Sequence, residues 1–243
     1  DVAREAADFV LLEQSLDVIC EGIAEGRRIF ANTLKYVFTT TSANFGNMFS
    51  MAGLSVFLPY LPLLPTQILL NNFLSDFPAM AIATDEVDHE MVDQPRRWDV
   101  RFIRNFMIVF GLVSSFFDYL TFGILLLVVK VGEEQFRTGW FIESLLTELL
   151  ILLVVRTRRP LSQSRPGFYL WLSTLLVSAL TLALPYLPGV GRLFNFVPLS
   201  WPVMLMLVAI TLLYVMASEV AKRLFYRWVD RRSRATVGRA QWS

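Results

Sequence analysis

Long apolar segments separated by short polar ones dominate this chain from residue 36 onward. An α-helix rises about 1.5 Å per residue, so roughly 20 apolar residues cross a bilayer. Six segments have that character, at residues 36–58, 65–83, 106–129, 140–155, 168–187 and 198–217. The fourth is short, and polar residues interrupt the second. The pattern predicts an all-α membrane protein built as a six-helix transmembrane bundle.

The first 28 residues have a different pattern. Residues 9–12 are a short apolar run typical of a buried strand, and Ser15 can cap a helix that continues to about Arg28. So few residues cannot build a core of their own. The start has no initiator methionine and no signal-peptide pattern. We therefore expect a truncated chain that begins with a short remnant of an α/β domain.

Basic residues are segregated to one side of the predicted bundle. Hydrophobic residues make up 55% of the chain, yet it contains 22 Lys and Arg residues. If the chain begins in the cytoplasm, only three of them fall on the opposite side, namely Lys130, Arg137 and Arg192. Positive charge concentrates on the cytoplasmic side of membrane proteins. Both termini are therefore predicted to be cytoplasmic.

Polar groups inside the second predicted helix indicate an ion pathway. A carboxylate such as Asp76 at mid-membrane costs roughly 2.5–3.5 kcal/mol, so it usually persists where a partner or a transported ion offsets that cost. Pro78 has no N–H, which leaves the Leu74 carbonyl oxygen free near that carboxylate. Asn72 lies one turn before Asp76 on the same face. The alternative is a proline-kinked helix with a buried, hydrogen-bonded Asp.

Further polar residues lie in the other predicted helices. Asn44 and Asn47 share a face of the first helix that could meet the carboxylate of the second, although ordinary hydrogen bonding between helices is the alternative. Asp118 and Glu148 lie midway along the third and fourth helices, and each needs a partner. For Asp118 a structural polar contact is favoured. Glu143 is placed near the outer end of its helix, where water is available, and is left out of the site.

The remaining polar segments exclude several function classes. The connection from Asp85 to Asp93 is acidic; a solvated loop is the simpler interpretation, and a docking site for a soluble domain is the alternative. The chain has no glycine-rich phosphate loop, no Cys/His spacing of a metal site and no nucleophile–base pair. Its basic clusters flank membrane helices, so contact with anionic lipid explains them better than nucleic acid.

Several motifs together resemble those of P-type cation-transporting ATPases, from residue 1 to about residue 227. Residues 1–13, Asp-Val-Ala-Arg-Glu-Ala-Ala-Asp-Phe-Val-Leu-Leu-Glu, look like the end of that family's phosphorylation domain. Asn-Thr-Leu-Lys-Tyr at 32–36 resembles the start of its fifth membrane helix, and Asn-Phe-Leu-Ser-Asp at 72–76 resembles the ion site of its sixth. The details look most like the magnesium-importing bacterial branch at residues 42–47, 61–65, 114–118 and 156–159.

The resemblance implies three parts. Residues 1–28 would end a cytoplasmic phosphorylation domain, residues 29–225 would form the transmembrane transport domain, and residues 226–243 a basic cytoplasmic tail. The full-length protein would pump Mg²⁺ across the bacterial inner membrane with Mg-ATP as cofactor. Its partners would be the lipid bilayer, the cation, and its own phosphorylation, nucleotide-binding and actuator domains. Since those domains are missing here, these residues are expected to be inactive alone.

The resemblance also implies a set of oxygen ligands. The ion-binding residues would be Asn44, Asn47, Asn72, Leu74 through its carbonyl, Asp76 and Glu148, with Asn72 and Asp76 as direct metal ligands and Ser75, Pro78 and Asp118 in support. Glu148 departs from the magnesium branch, where a neutral Gln is common. An extra carboxylate favours a more dehydrated site, so a calcium- or proton-exporting ATPase remains an alternative, as does a passive channel or scaffold subunit. Oxygen ligands argue against copper or zinc.

Overall fold

The computed structural model describes residues 2–8, 10, 15–88, 92–93, 95 and 97–240, and every regular element among them is helical. A π-helical segment, Ile124–Val129, continues the fourth helix, and single 3₁₀ turns follow the third, fifth and sixth. The α-helices are α1 Val2–Glu5, α2 Leu16–Ser55, α3 Pro65–Ala81, α4 Val100–Gly123, α5 Glu133–Val155, α6 Phe168–Ala183, α7 Pro188–Leu193 and α8 Trp201–Ala240.

Each predicted membrane segment overlaps one helix, in the order α2, α3, α4, α5, α6 and α8, and most segments extend two to six residues beyond an end of that helix. Four described helices are long and apolar enough to cross a membrane, at Val100–Val129, Glu133–Val155, Phe168–Tyr186 and Trp201–Arg231. The multi-pass character of the chain is therefore confirmed. Membrane spans in α2 and α3, which carry most of the polar candidates, remain a prediction.

The N-terminal segment differs in part from the expectation. Ser15 caps α2 as predicted, because its hydroxyl accepts a hydrogen bond from the Asp17 backbone N–H at 3.2 Å. The helix does not end near Arg28, however, but continues without a break to Ser55. The predicted strand at 9–12 lies outside the described residues except for Val10, which belongs to no regular element.

Helix α5 forms the centre of the molecule and packs against α2, α3, α4, α6 and α8. Within their membrane-length windows, 83% of the α5 residues are buried, against 33–39% for the other three long apolar helices. Helices α2 and α4 approach closely where two glycines face each other. A Cβ on Gly111 would lie 2.4 Å from the Phe45 ring, and Ser115 donates a hydrogen bond to the Gly46 carbonyl oxygen. Most side chains of α5, including several of its polar ones, are enclosed by the surrounding helices.

A buried ion cluster connects the ends of the helices on one side of the bundle. Asp85 accepts hydrogen bonds from Lys35 Nζ at 2.7 Å, from Arg156 Nη1 at 3.1 Å to each oxygen, and from the Gly167 backbone N–H at 2.9 Å. Burial lowers the pKa of Lys35, one residue before the first predicted span, while Asp85 acts to raise it. The solvated-loop interpretation is therefore wrong at Asp85, which is 3% exposed.

Candidate functional site

Three helices bring polar side chains together around Glu148. Its Oε2 atom accepts a hydrogen bond from Asn71 Nδ2 at 2.9 Å and lies at the limit of one, 3.5 Å, from Asn47 Nδ2. Ser144, one turn earlier on α5, donates to Asn47 Oδ1 at 3.1 Å. The cluster thus combines one carboxylate from α5 with one amide from α2 and one from α3.

The rotation of α3 about its axis decides which of its residues face this cluster. Its inward stripe repeats every three or four residues and consists of Gln67, Asn71, Leu74, Ser75 and Pro78. Gln67 fixes that rotation at the start of the helix, because its Nε2 donates to the Phe194 carbonyl oxygen at 2.9 Å and its Oε1 accepts from the Leu64 backbone N–H at 3.0 Å. Asn71 follows one turn later and therefore points at Glu148.

The neighbouring face of α3 carries the pair that the sequence singled out. Asn72 and Asp76 share that face, and both are exposed in this bundle, as are the rings of Phe73 and Phe77. Asp76 is nevertheless close enough to Glu148 for the two carboxyl groups to interact electrostatically. Asp76 therefore borders the cluster from the outer surface of the bundle.

The other candidates of the second helix lie beside the cluster. Ser75 is buried against Glu148, and its hydroxyl also donates to the Asn72 carbonyl oxygen at 3.1 Å. Pro78 is inside α3 and cannot donate to the Leu74 carbonyl, as the sequence indicated. Asn44, by contrast, is exposed on α2, one turn away from Asn47.

Two further carboxyl groups form a separate cluster. Asp118 accepts hydrogen bonds from Ser50 Oγ at 2.5 Å and Trp140 Nε1 at 3.0 Å, so the structure does not bring it to Glu148. The placement of Glu143 at a water-accessible helix end is wrong, because this residue is 1% exposed. The central position of α5 accounts for the difference, since neighbouring helices enclose it well before its outer end.

Asn71 and Ser144 are the site residues that sequence reasoning missed. Gln67, Asn71 and Ser75 are polar and spaced four residues apart, which places a polar stripe along an otherwise apolar helix. Ser144 and Glu148 have the same spacing on α5. A search for polar residues at helical spacing within each apolar segment would have found both.

The cluster has the chemistry of a site for a hard cation. Asn71 Oδ1 is buried and has no hydrogen-bond donor, so it is available as a ligand. Among the ion pairs formed by described residues, none involves Glu148. In the described part no three His, Cys, Asp or Glu side chains converge on one point. A cation here would therefore be held by one or two carboxylates with amide oxygens, a set that suits Mg²⁺ or Ca²⁺.

Comparison with known proteins assigns the chain to a family. Residues 60–224 match the sequence model described as "Cation transporting ATPase, C-terminus". This chain belongs to the cation-transporting ATPase family. It corresponds to the C-terminal membrane part of the P-type enzymes, and α3 to α8 lie largely within the matched region.

Individual relatives give a finer comparison. The chain is 43% identical to the "Magnesium-transporting ATPase, P-type 1" of Escherichia coli K12 and 42% identical to the protein of that name from Salmonella typhimurium LT2, each over 93% of its length. It is 26% identical, over 91% of its length, to the "Endoplasmic reticulum calcium ATPase srcA" of Aspergillus fumigatus. The chain spans 26% of the two magnesium-transporting relatives and 27% of the calcium ATPase.

Proposed function

We propose that this chain is the membrane half of an ATP-driven pump that moves Mg²⁺ through an oxygen-lined site inside the bilayer. The observation that carries the proposal is the environment of Glu148. Its carboxylate receives amide donors from α2 and α3 but no described cation, and the buried Asn71 Oδ1 beside it lacks a donor. Glu148 is half-buried, and a carboxylate at mid-membrane depth without a counter-charge is costly, so a transported cation would offset that cost.

The proposed ligands come from two adjoining faces of α3. Asn71 and Glu148, with Asn47, would bind the ion from inside the bundle. Asp76 and Asn72, with Asn44 on α2, would bind it from the exposed side, and the interaction between Asp76 and Glu148 supports a shared site. In this proposal the exposed face meets membrane helices of the full-length protein that lie outside these 243 residues.

The continuity of α2, from the start of the helix to its polar site residues, suggests how ATP hydrolysis would move the ion ligands. Helix α2 is continuous from Leu16 through Asn47 to Ser55, so a displacement at its beginning is transmitted along one rigid element. Residues 31–35 would form the coupling stalk. Lys35 and Asn32 support this role, because both bond to the segment after α3, at Asp85. A movement of α2 would then shift α3 with it.

The wider setting of the pump follows from the sequence. In our proposal all six apolar segments cross the bacterial inner membrane, with both ends in the cytoplasm on the side of the many basic residues. The motif Asp-Lys-Thr-Gly does not occur in these residues, so the phosphorylated Asp and the nucleotide-binding domain would be supplied by other parts of the same protein. A calcium- or proton-exporting pump is the second candidate, favoured by the carboxylate of Glu148.

ATP hydrolysis by the intact protein tests the proposal. At a fixed concentration of Mg-ATP, activity should rise with free Mg²⁺ and should not respond to added Ca²⁺. Asp76→Asn should abolish the ion-dependent part while insertion into the membrane remains normal, since it removes a charged hard-cation ligand. Asp88→Asn, a carboxylate change outside the predicted spans, is the matched control. Stimulation by Ca²⁺ would favour the second candidate, and the absence of any hydrolysis would favour a channel or scaffold.

A further inference from the structure

A second polar cluster lies between α2, α4, α5 and α8, and the cation site does not use it. It is formed around the carboxyl groups of Asp118 on α4 and Glu143 on α5, both 1% exposed. Glu143 precedes Glu148 by five residues, which is about 7.5 Å along the helix axis. The cluster is therefore distinct from the Glu148 site, although the same two helices, α2 and α5, contribute to both.

Asp118 has the surroundings of an ionised carboxylate. The indole N–H of Trp140 can only donate, so the Oδ1 atom that it approaches at 3.0 Å is an acceptor. Ser50 Oγ lies 2.5 Å from Oδ2, the short distance typical of a hydroxyl that donates to a charged oxygen. Each oxygen of Asp118 thus has a donor from a different helix.

Glu143 has the opposite surroundings. Neither of its carboxyl oxygens has a hydrogen-bond donor, although the residue is almost completely buried. Its carboxyl group is near enough to Asp118 for a hydrogen bond between the two, provided that one of them carries a proton. As two carboxylates they could only repel each other, whereas a protonated Glu143 would donate to Asp118 and leave no unfavourable contact.

The other titratable groups near the pair supply no positive charge. In the described part of the chain, Ser50 from α2 and Trp140 from α5 hydrogen-bond to Asp118, and the titratable groups that interact electrostatically with the pair are Tyr119 from α4 and Tyr214 from α8. Tyr119 uses its hydroxyl to donate to the Phe49 carbonyl oxygen. No Lys or Arg is among them, so a proton is the simplest means of removing one of the two negative charges.

We propose that the Asp118–Glu143 pair is a proton-binding site of the membrane domain, separate from the cation site. One proton is held on Glu143 and shared with Asp118 through a hydrogen bond, so the pair carries a single negative charge. The hydrogen bonds from Ser50 and Trp140 keep that charge on Asp118.

Infrared spectroscopy of the intact protein at neutral pH tests this assignment. A protonated carboxyl group gives a C=O stretching band that carboxylates lack. Glu143→Gln should remove one such band, because the Gln amide replaces the O–H donor. Asp118→Asn should not remove the Glu143 band. It should change the frequency of that band, since an amide oxygen is a weaker acceptor than a carboxylate oxygen. Glu134→Gln, an exposed position on the same helix, is the matched control and should remove no band.

A second measurement covers the case in which Glu143→Gln does not fold. Protein with the Glu148→Gln substitution and ¹³C-labelled Glu carboxyls should still show an isotope-shifted acid band, which then cannot come from Glu148. Absence of that band would overturn the proposal, as would a band that persists in Glu143→Gln and disappears in Asp118→Asn. A loss of apparent Mg²⁺ affinity of about tenfold in Glu143→Gln, without loss of a band, would instead identify a cation ligand and also overturn it.

Discussion

Replacing Asp85 by Asn should destabilise the protein more than any other single carboxylate-to-amide change outside the predicted spans. The side chains of Asp85, Lys35 and Arg156 are 0%, 3% and 1% exposed, so the ion cluster is almost fully removed from solvent. Asn keeps the size of the side chain but removes the negative charge. Two cations would then be left buried without a counter-charge.

The magnitude follows from the burial of the cluster. Removing one partner of a buried ion pair typically costs about 3–5 kcal/mol, because the remaining charge is left uncompensated. The amide oxygen of Asn can still accept a hydrogen bond from Gly167 or Arg156. We therefore expect Asp85→Asn to lower the free energy of unfolding by an amount near the lower end of that range, about 3 kcal/mol. Asp88→Asn is the control, because Asp88 accepts one hydrogen bond from Thr157 at 2.7 Å and is only half-buried. The Asp88→Asn change should therefore lower the free energy of unfolding by only about 1 kcal/mol.

Equilibrium unfolding in mixed micelles, followed by tryptophan fluorescence, measures these losses. In the double variant Asp85→Asn with Lys35→Met, one buried cation is removed as well. Its loss in free energy of unfolding should be smaller than the sum of the two single losses by about 1–3 kcal/mol.

The pH dependence of stability gives a further test. Because burial lowers the pKa of Lys35 in the folded protein, the unfolded chain binds more protons between that lowered value and the ordinary 10.5. Stability should therefore rise with pH in that window, over a wider range in Asp85→Asn, where the raising effect of Asp85 is lost. If Asp85→Asn lowers the free energy of unfolding by less than about 1 kcal/mol at neutral pH, the reasoning is refuted, because that result would mean that water reaches the ion cluster.

Three other substitutions test the packing and the site. Asn71→Ala should weaken apparent Mg²⁺ affinity at least about tenfold, or ~1.4 kcal/mol, in ion-stimulated hydrolysis, whereas Asn105→Ala on α4 should not; equal affinities would remove Asn71 from the site. Gly111→Ala should lower the free energy of unfolding by about 1–3 kcal/mol, because the new methyl group would lie 2.4 Å from the Phe45 ring; unchanged stability would show that the ring moves freely. Pro78→Ala should weaken ion affinity without reducing expression, since it restores a helical hydrogen bond to a carbonyl oxygen that is otherwise a ligand; unchanged ion dependence would show that this oxygen is no ligand.

The helices themselves could be predicted because their signal is local. Each apolar segment coincides for most of its length with one helix, and Ser15 caps α2 as predicted. The end of the first helix could not be predicted in the same way. No proline interrupts residues 16–55, and a Cβ added at Gly22 or Gly26 would meet no atom of another element within 4 Å, so nothing local ends α2 near Arg28.

Choosing between Asn71 and Asn72 required information that is distant in the sequence. Both are amides in the same apolar segment, and the rotation of α3 depends on Gln67, whose partner Phe194 lies 127 positions away. The burial of Asp85 has the same origin, since its partners Lys35 and Arg156 are 50 and 71 positions away. Composition makes that loop look solvated, and only tertiary structure places one of its carboxylates among buried cations.

The depth of Glu143 was misjudged for a related reason. Position along a helix indicates distance from the membrane surface, but it does not indicate how many neighbours surround the helix. Because α5 is central, its residues are enclosed by protein along most of its length. A carboxyl group there requires a partner even near the helix end, and Asp118 is the partner that we propose.

Direct measurement of ATP-driven Mg²⁺ movement tests the central claim. The intact protein is reconstituted into vesicles, ATP is added on the side of its cytoplasmic domains, and Mg²⁺ and Ca²⁺ movements are followed with selective dyes. The proposed function predicts ATP-dependent Mg²⁺ movement that is lost in Asp76→Asn and weakened about tenfold or more in apparent affinity in Glu148→Gln. ATP-dependent movement of Ca²⁺ without Mg²⁺, or Mg²⁺ movement that both substitutions leave unchanged, would contradict it.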